Sequence, residues 1–137
     1  MKKTTKITVT LLLALAMIIP ATLGAFAALP ETVQPRWTSI FTIELDISFA
    51  GTSGNATGLA RKQSTATNIE GILTVYKLVD GEWVFVGDTS GEKPVGTLAL
   101  SVDFYAEEGV TYKAEFEVTA YTGSSPETET VEHIETC

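Results

Sequence analysis

The chain has 137 residues, of which 17 are acidic and 9 are basic, and its formal net charge at pH 7 is −8. This charge excludes nucleic acid and anionic lipid surfaces as partners, because their phosphates attract clusters of Lys and Arg. The length fits one ordinary domain, and the single cysteine, Cys137, excludes an intrachain disulfide.

The N-terminal segment has the features of an export signal. Three lysines among the first six residues precede a long, mostly apolar stretch without charge. Ala25 and Ala27 match the small-x-small pattern of signal peptidase sites, so we predict cleavage before Ala28. The alternative is an uncleaved anchor that holds the protein at the cell surface, because about 20 apolar residues can span a bilayer.

The sequence divides into three predicted parts, with the cleavage site between the first and the second. Residues 1–27 form the signal peptide, which we expect to be helical, residues 28–36 form an extended linker, and residues 37–137 form a domain. The cleaved chain loses three lysines and no acidic residue, so its net charge becomes −11. We therefore expect a secreted, acidic protein that has no contact with the membrane after cleavage.

The first predicted strand spans residues 37–49. Apolar and polar side chains alternate along it, which turns one face inward and the other to water. The predicted inward residues are Phe41, Ile43, Leu45, Ile47 and Phe49. A second, weaker strand over residues 55–64 has small residues followed by Arg61 and Lys62, so we predict that it is an exposed sheet edge.

The segment from residue 72 to 86 contains the strongest hairpin signal, because two apolar runs flank Asp80-Gly81. A two-residue turn would place Tyr76 opposite Phe85. A type I turn with a bulge would place Val75 opposite Phe85 instead. We prefer the second closure, because an aliphatic pair then lies on the core side, but the sequence leaves both closures open.

Three further strands are predicted after a polar loop over residues 87–96. Residues 97–105 and 110–121 alternate as regularly as the first strand does. Residues 127–135 form either a last strand or a frayed acidic tail, because this segment has only two sizeable apolar residues.

Seven short strands with regular turn signals and no helical period indicate an antiparallel β-sandwich. The segment Glu108-Gly109-Val110-Thr111-Tyr112 resembles the start of the penultimate strand in immunoglobulin-like domains, where a tyrosine hydroxyl bonds back to the preceding corner. With the Gly81-Glu82-Trp83 hairpin end and the Glu127-Thr128 pair, the chain resembles small secreted Ig-like proteins of Gram-positive bacteria. The resemblance implies an immunoglobulin-like sandwich over residues 37–135, in a group whose members mostly have no assigned function.

No catalytic, cofactor-binding or metal-binding pattern stands out. His133 lies four residues before Cys137 in a segment without a rigid scaffold, so we expect no Cys–His nucleophile. The acidic pairs Glu44/Asp46 and Glu115/Glu117 alternate toward solvent, and the loop acids match no Ca²⁺-binding spacing. We therefore expect a protein that is not an enzyme and needs no cofactor or metal.

The expected function is an extracellular binding or surface-interaction module for a protein or cell-envelope partner. Recognition would use the end loops or the predicted edge at residues 55–64. The alternative is a small carbohydrate-binding module, with Trp37, Trp83 and Tyr121 as candidate ligand-contacting aromatic residues. A third hypothesis is a structural subunit that forms a homodimer through an intermolecular disulfide at Cys137.

Overall fold

The computed structural model describes residues 37–137. The predicted signal peptide (1–27), its cleavage site at Ala25, Ala27 and Ala28, and the linker (28–36) lie outside the described residues. The described chain contains seven β-strands: β1 (Ile40–Ala50), β2 (Ser53–Lys62), β3 (Asn68–Val79), β4 (Glu82–Lys93), β5 (Thr97–Tyr105), β6 (Thr111–Thr122) and β7 (Ser125–Thr136). Within this range no helix is long and apolar enough to cross a membrane.

The strands form two antiparallel sheets that pack face to face. One sheet has the order β1-β2-β5, and the other has the order β4-β3-β6-β7. Buried apolar side chains from the facing sides of both sheets form one hydrophobic cluster. The prediction of an all-β antiparallel sandwich of seven strands is therefore confirmed.

The alternation predicted for the first strand fails at its start. Ile40 pairs with Lys62, whereas Thr42 pairs with Arg61, so β1 has one extra residue at this point. Because such a bulge changes the phase of the strand, Ile40 is fully buried and Phe41 is 58% exposed. The prediction that Phe41 faces the core is therefore wrong.

β2 lies at the centre of its sheet, between β1 and β5, so the predicted exposed edge at residues 55–64 is wrong. The inward residues of β2 are small because large side chains press against them. A Cβ atom on Gly58 would lie 2.7 Å from Phe116 Cδ1, and one on Gly71 of β3 would lie 2.7 Å from Cε2 of the same ring. The fully buried Phe116 therefore occupies space that the two glycines leave free.

The hairpin between β3 and β4 closes through a two-residue turn. Asp80 and Gly81 have positive φ angles of 52° and 83°, as a type I′ turn requires. Tyr76 consequently pairs with Phe85. The preferred closure, with Val75 opposite Phe85, is therefore wrong, and the alternative that the sequence left open is correct.

A bulge lies farther along the hairpin, at Val86. Tyr76 pairs with Phe85 but Val75 pairs with Gly87, so Val86 is the extra residue of β4. Because of this bulge, the hairpin can close through a two-residue turn and still place aliphatic side chains in the core. Val75 is fully buried, whereas Phe85 is exposed.

β4 occupies most of the loop predicted at residues 87–96. Two glycines of this segment, Gly87 and Gly91, face the other sheet. A Cβ atom on Gly91 would lie 3.0 Å from Leu100 Cδ2, and one on Gly87 would lie 3.4 Å from Val102 Cγ1. Glycine here permits close approach of the two sheets, so the prediction of a loop is wrong up to Lys93.

β7 pairs with β6 along its whole length, so the last segment is a strand rather than a frayed tail. Further hydrogen bonds tie both ends of the strand to the rest of the domain. Glu127 accepts hydrogen bonds from the backbone N–H groups of Thr38 (2.9 Å), Ser39 and Ile40 (3.1 Å). At the other end, the Cys137 N–H donates to the Val110 carbonyl at 3.1 Å.

Tyr112 is fully buried at the start of β6. Its hydroxyl oxygen accepts a hydrogen bond of 2.9 Å from the backbone N–H of Glu107 in the preceding corner. The rings of Phe49 and Phe104 lie 5.6 Å and 5.0 Å from its centroid. The tyrosine therefore fixes the corner before β6 to the core.

Candidate functional site

Half of the exposed large apolar side chains of the described chain lie at the β3–β4 hairpin, and three of these are on the solvent-facing side of the four-stranded sheet. This side is called the outer face below. Leu78, Trp83 and Phe85 are 38%, 37% and 59% exposed, and Tyr76 is partly exposed. Because Tyr76 pairs with Phe85 and Leu78 with Trp83, the four side chains lie together. We call this set of four residues the hairpin patch.

Local sequence explains why these side chains face solvent. The two-residue turn sets Leu78 opposite Trp83, and the bulge at Val86 begins directly after Phe85. Beyond the bulge, the inner side of the strand pair is covered by the core. Val75, which lies opposite Gly87, is fully buried there. The hairpin patch is thus the part of the sheet whose register the turn dictates, and it carries aromatic residues where solvent-facing strand positions usually carry polar ones.

Lys113 of β6 organises the rings of the hairpin patch. Its ammonium group lies 5.1 Å from the ring centroids of both Tyr76 and Trp83. The same group bonds to the carboxylate of Glu115 and lies 3.8 Å from that of Glu132. The hydrogen bond to Glu115 raises the pKa of Lys113 above its usual value, against the opposing effect of desolvation. A lysine that is charged at neutral pH therefore lies within cation–π distance of two aromatic rings.

The rings of the hairpin patch do not form a flat platform. Tyr76 and Phe85 lie with their centroids 6.4 Å apart and their planes at 79°, an edge-to-face arrangement. Lys113 lies over the rings of both Tyr76 and Trp83. Phe85 is consequently the most available ring for a partner.

An acidic groove continues from the hairpin patch along the outer face. Its larger depression has a volume of about 360 Å³ and is lined by residues including Glu70, Glu92 and Glu117. A second depression of about 200 Å³ shares Ile72 and Glu117 with the first and reaches Tyr76. A ligand that covers the hairpin patch can therefore extend over a row of carboxylates.

Tyr121 lies at the end of the acidic groove that is farther from the hairpin patch, and it bonds to Glu70 of the groove lining. Its hydroxyl donates a hydrogen bond of 3.1 Å to the Glu70 carboxylate. This bond raises the pKa of Tyr121 above its usual value, and desolvation acts in the same direction. Tyr121 therefore positions a wall of the groove with its hydroxyl.

The structure does not bring the three sequence-predicted aromatic residues together. Trp83 pairs with Leu78 and Tyr121 pairs with Asn68, so they lie about 30 Å apart along β3 at the usual rise per residue. Trp37 is partly buried against the core. Trp83 instead neighbours Tyr76 and Phe85, which the sequence analysis did not select. The two-residue closure of the hairpin, which the sequence left open, already placed Tyr76 opposite Phe85 and so could have identified this group.

Cys137 and His133 lie at the C-terminal end of the fold. The Cys137 thiol is partly buried and donates to the Gly51 carbonyl oxygen at 3.7 Å. His133 lies 3.6 Å from the carboxylate of Glu135. In residues 37–137, no three His, Cys, Asp or Glu side chains are grouped as metal ligands.

Comparisons with protein families and with curated proteins find no match to the sequence. Among solved structures, the β-glucuronidase of Parabacteroides merdae is similar at 19% identity with a TM-score of 0.46. The match covers 72% of this chain and 13% of the enzyme, and a structure of that enzyme with glycerol in its active site gives the same values. A protein from Archaeoglobus fulgidus has 13% identity and a TM-score of 0.42, over 71% of this chain and 94% of that one. The chain thus spans a small part of the glucuronidase, and similarity at this level indicates no activity.

Proposed function

We propose that the chain is a secreted, non-catalytic module that binds an extracellular protein or cell-envelope partner through the hairpin patch. The observation that carries this proposal is the grouping of exposed Trp83, Phe85 and Leu78 at the hairpin end of the outer face. Contiguous apolar surface rimmed by polar groups is typical of interaction sites, because an isolated soluble domain gains nothing from exposing it.

The ordering of the hairpin patch supports the same function. Lys113 lies 5.1 Å from the ring centroids of both Tyr76 and Trp83 in the domain without a partner. A preordered surface loses less side-chain freedom on association, which favours affinity. Aromatic residues are also enriched among the side chains that dominate binding energy at interfaces.

We also propose that the sandwich is immunoglobulin-like. The supporting feature is the hydrogen bond between the Tyr112 hydroxyl and the Glu107 N–H at the corner before β6. Immunoglobulin-like domains use a tyrosine at this point of the chain. Such domains commonly serve as extracellular recognition modules, which agrees with the predicted export signal.

A pair of matched substitutions tests the binding function. Phe85 and Phe41 are exposed to almost the same extent, 59% and 58%, but only Phe85 belongs to the hairpin patch. We expect F85S to lose at least ten-fold in binding to the envelope fraction or extracellular proteins of the producing cells, and F41S to bind as the wild type does. Equal binding by all three proteins, measured by quantitative co-sedimentation and affinity capture, would refute a role for the patch.

The second candidate function is carbohydrate binding on the same face. Carboxylates and hydroxyl groups line the larger depression, among them Glu117, Ser90 and Thr119, and these groups could accept hydrogen bonds from a sugar. The edge-to-face rings of Tyr76 and Phe85 suit a stacked sugar less well than a flat platform would. Titration with soluble neutral oligosaccharides, followed by tryptophan fluorescence, separates the two functions, because a response is expected only from a sugar-binding module.

A further inference from the structure

We propose that β4 receives an extended, cationic polypeptide segment as an added strand beside the hairpin patch. This inference rests on the proposed binding function and names the chemistry of its partner. It is carried by three features of the described chain: an open strand edge, apolar side chains on both sides of that edge, and a row of carboxylates along the adjoining face.

The open edge is the side of β4 that faces away from β3. Within residues 37–137, β4 is hydrogen-bonded only to β3 and ends its sheet. Val79 and Glu82 flank the two-residue turn, and in antiparallel pairs the hydrogen-bonded and non-bonded positions alternate from such a pair. The main-chain groups of Trp83 and Phe85 are therefore directed to the open edge, where they can bond to another strand.

Both sides of this edge are apolar near the turn. Trp83 and Phe85 face outward, while Val84 lies between them on the opposite side and is 42% exposed. An added strand could pack alternate side chains on each side, as in strand addition at other sheet edges. The bulge at Val86 limits regular pairing to the stretch from Glu82 to Phe85, because bulges interrupt the ladder.

The adjoining face selects a cationic partner. The register places Asp88 and Glu92 of β4 and Glu70 of the neighbouring β3 on the outer face near this edge, with Glu115, Glu117 and Glu132 farther away on β6 and β7. Lys113 is the cation among them, and it is already bonded to Glu115. The part of a bound segment that lies beyond this regularly paired stretch therefore meets the negative charge of Asp88, Glu92 and Glu70, which Lys or Arg at alternate positions of the partner would neutralise.

A second copy of the chain suits the edge less well than a basic partner does. The secreted chain would carry a net charge of −11, and pairing β4 with another β4 would bring two acidic outer faces side by side. Like charges across an interface oppose association. The charge of the protein thus favours a partner of opposite sign.

A peptide selection tests the inference. Random decapeptides are selected on the immobilised secreted protein, with F85S used for counter-selection and F41S as the matched control. We expect enrichment of peptides with Lys or Arg alternating with apolar residues. The best peptide is then made with N-methyl groups on alternate residues, in two versions that block opposite edges of the peptide. One version should lose at least ten-fold in affinity and the other should bind nearly unchanged.

The outcomes separate this inference from the proposed function. Amide hydrogen exchange should slow at Trp83 and Phe85 when the unmodified peptide binds. If F85S loses binding to natural partners but the selected peptides are acidic, non-alternating or insensitive to N-methylation, strand addition is wrong and the binding function stands. Self-association of the protein through β4, detected by sedimentation, would likewise overturn the inference. If F85S also leaves natural binding unchanged, both proposals fail.

Discussion

Phe116 lies directly against the backbone of Gly58, and a Cβ atom at Gly58 would come within 2.7 Å of Cδ1 of that ring. The contact joins the central strand of one sheet to a central strand of the other. The phenyl group is fully buried, so it has little room to move away. The small residues that made β2 look like a weak edge strand in the sequence are therefore the condition for close packing of the sheets.

This contact predicts a large effect from a single methyl group. We expect G58A to destabilise the fold by about 1–3 kcal/mol, the usual cost of overpacking a core. G87A is the matched control, because a Cβ there would make an ordinary contact of 3.4 Å. Urea unfolding should show the difference, and F116L should recover part of the loss in G58A. Equal stability of G58A and G87A would contradict the packing argument.

The carboxylate of Glu127 predicts a pH dependence of stability. Desolvation alone would raise its pKa, but the hydrogen bonds from Thr38, Ser39 and Ile40 outweigh it and lower the pKa below the usual 4.5. A lowered pKa in the folded state contributes stability above the unfolded-state value, and this contribution is lost as the pH falls through the folded-state value.

We therefore expect E127Q to lose about 2 kcal/mol of unfolding free energy at pH 7, as is usual for hydrogen bonds to a charged group. The difference from the wild type should shrink as the pH falls below the usual carboxyl pKa. Urea unfolding between pH 7 and pH 3 measures it, with E129Q on the same strand as the control. A difference that stays constant over this range would show that ionisation of Glu127 does not matter.

The hydroxyl of Tyr112 predicts a specific cost for its removal. Y112F leaves the ring in the core but removes the acceptor of the Glu107 N–H. We expect a loss of about 1–2 kcal/mol, because the donor is left without a partner in a partly buried corner. Y121F removes a more exposed hydroxyl, so it should cost less. Thermal and urea unfolding of both variants check this, and the opposite ranking would be inconsistent with a structural role of the corner.

The position of Lys113 leads to a prediction about the hairpin patch that can be tested without a partner. K113Q removes the charge that lies over Tyr76 and Trp83. We expect a shift in tryptophan emission and a stability loss of about 1 kcal/mol, the usual scale of cation–π attraction. K77Q, which breaks the bond to Glu107 instead, should leave the emission unchanged. An unaltered spectrum for K113Q would mean that Lys113 does not order the ring of Trp83.

The packing of Cys137 leads to a prediction for the mass of the protein after the proposed signal cleavage. Its thiol is partly buried against Gly51, which hinders pairing with a second copy. We expect the intact mass of a single chain that starts at Ala28, and we expect this mass not to change on reduction. A dimer that dissociates with reductant would instead support the homodimer hypothesis, and uncleaved chain in the membrane would disprove the predicted signal cleavage.

Regular alternation made most strands predictable from sequence. The strand at residues 97–105 has the predicted bounds, and residues 110–121 face inward and outward as expected. In such segments, local pattern and tertiary burial agree. The confirmed part of the prediction is therefore the part in which each strand could be interpreted alone.

The errors arise where neighbouring strands decide the outcome. Small residues at 55–64 indicate an edge by composition, and only the position of Phe116 explains why they lie in the centre of a sheet. The hairpin register depends on whether a bulge lies at the turn or at Val86, and both sites satisfy the same apolar pattern. The hairpin patch follows from that register, so the sequence pattern alone could not identify it.

The bonds between Glu127 and the start of β1 also decide how the domain would bear a mechanical load. They fasten residues 38–40 beside the β6–β7 turn, at the end of the sandwich opposite the β3–β4 hairpin. A pull on Trp37 from its N-terminal side would therefore act first on the packing of Trp37 against the core and on the bonds of this carboxylate. The hairpin patch lies about 30 Å away along the strands and would keep its structure as long as the Glu127 bonds remain. A force on the N-terminal end of the domain would then not release the proposed partner from the hairpin patch.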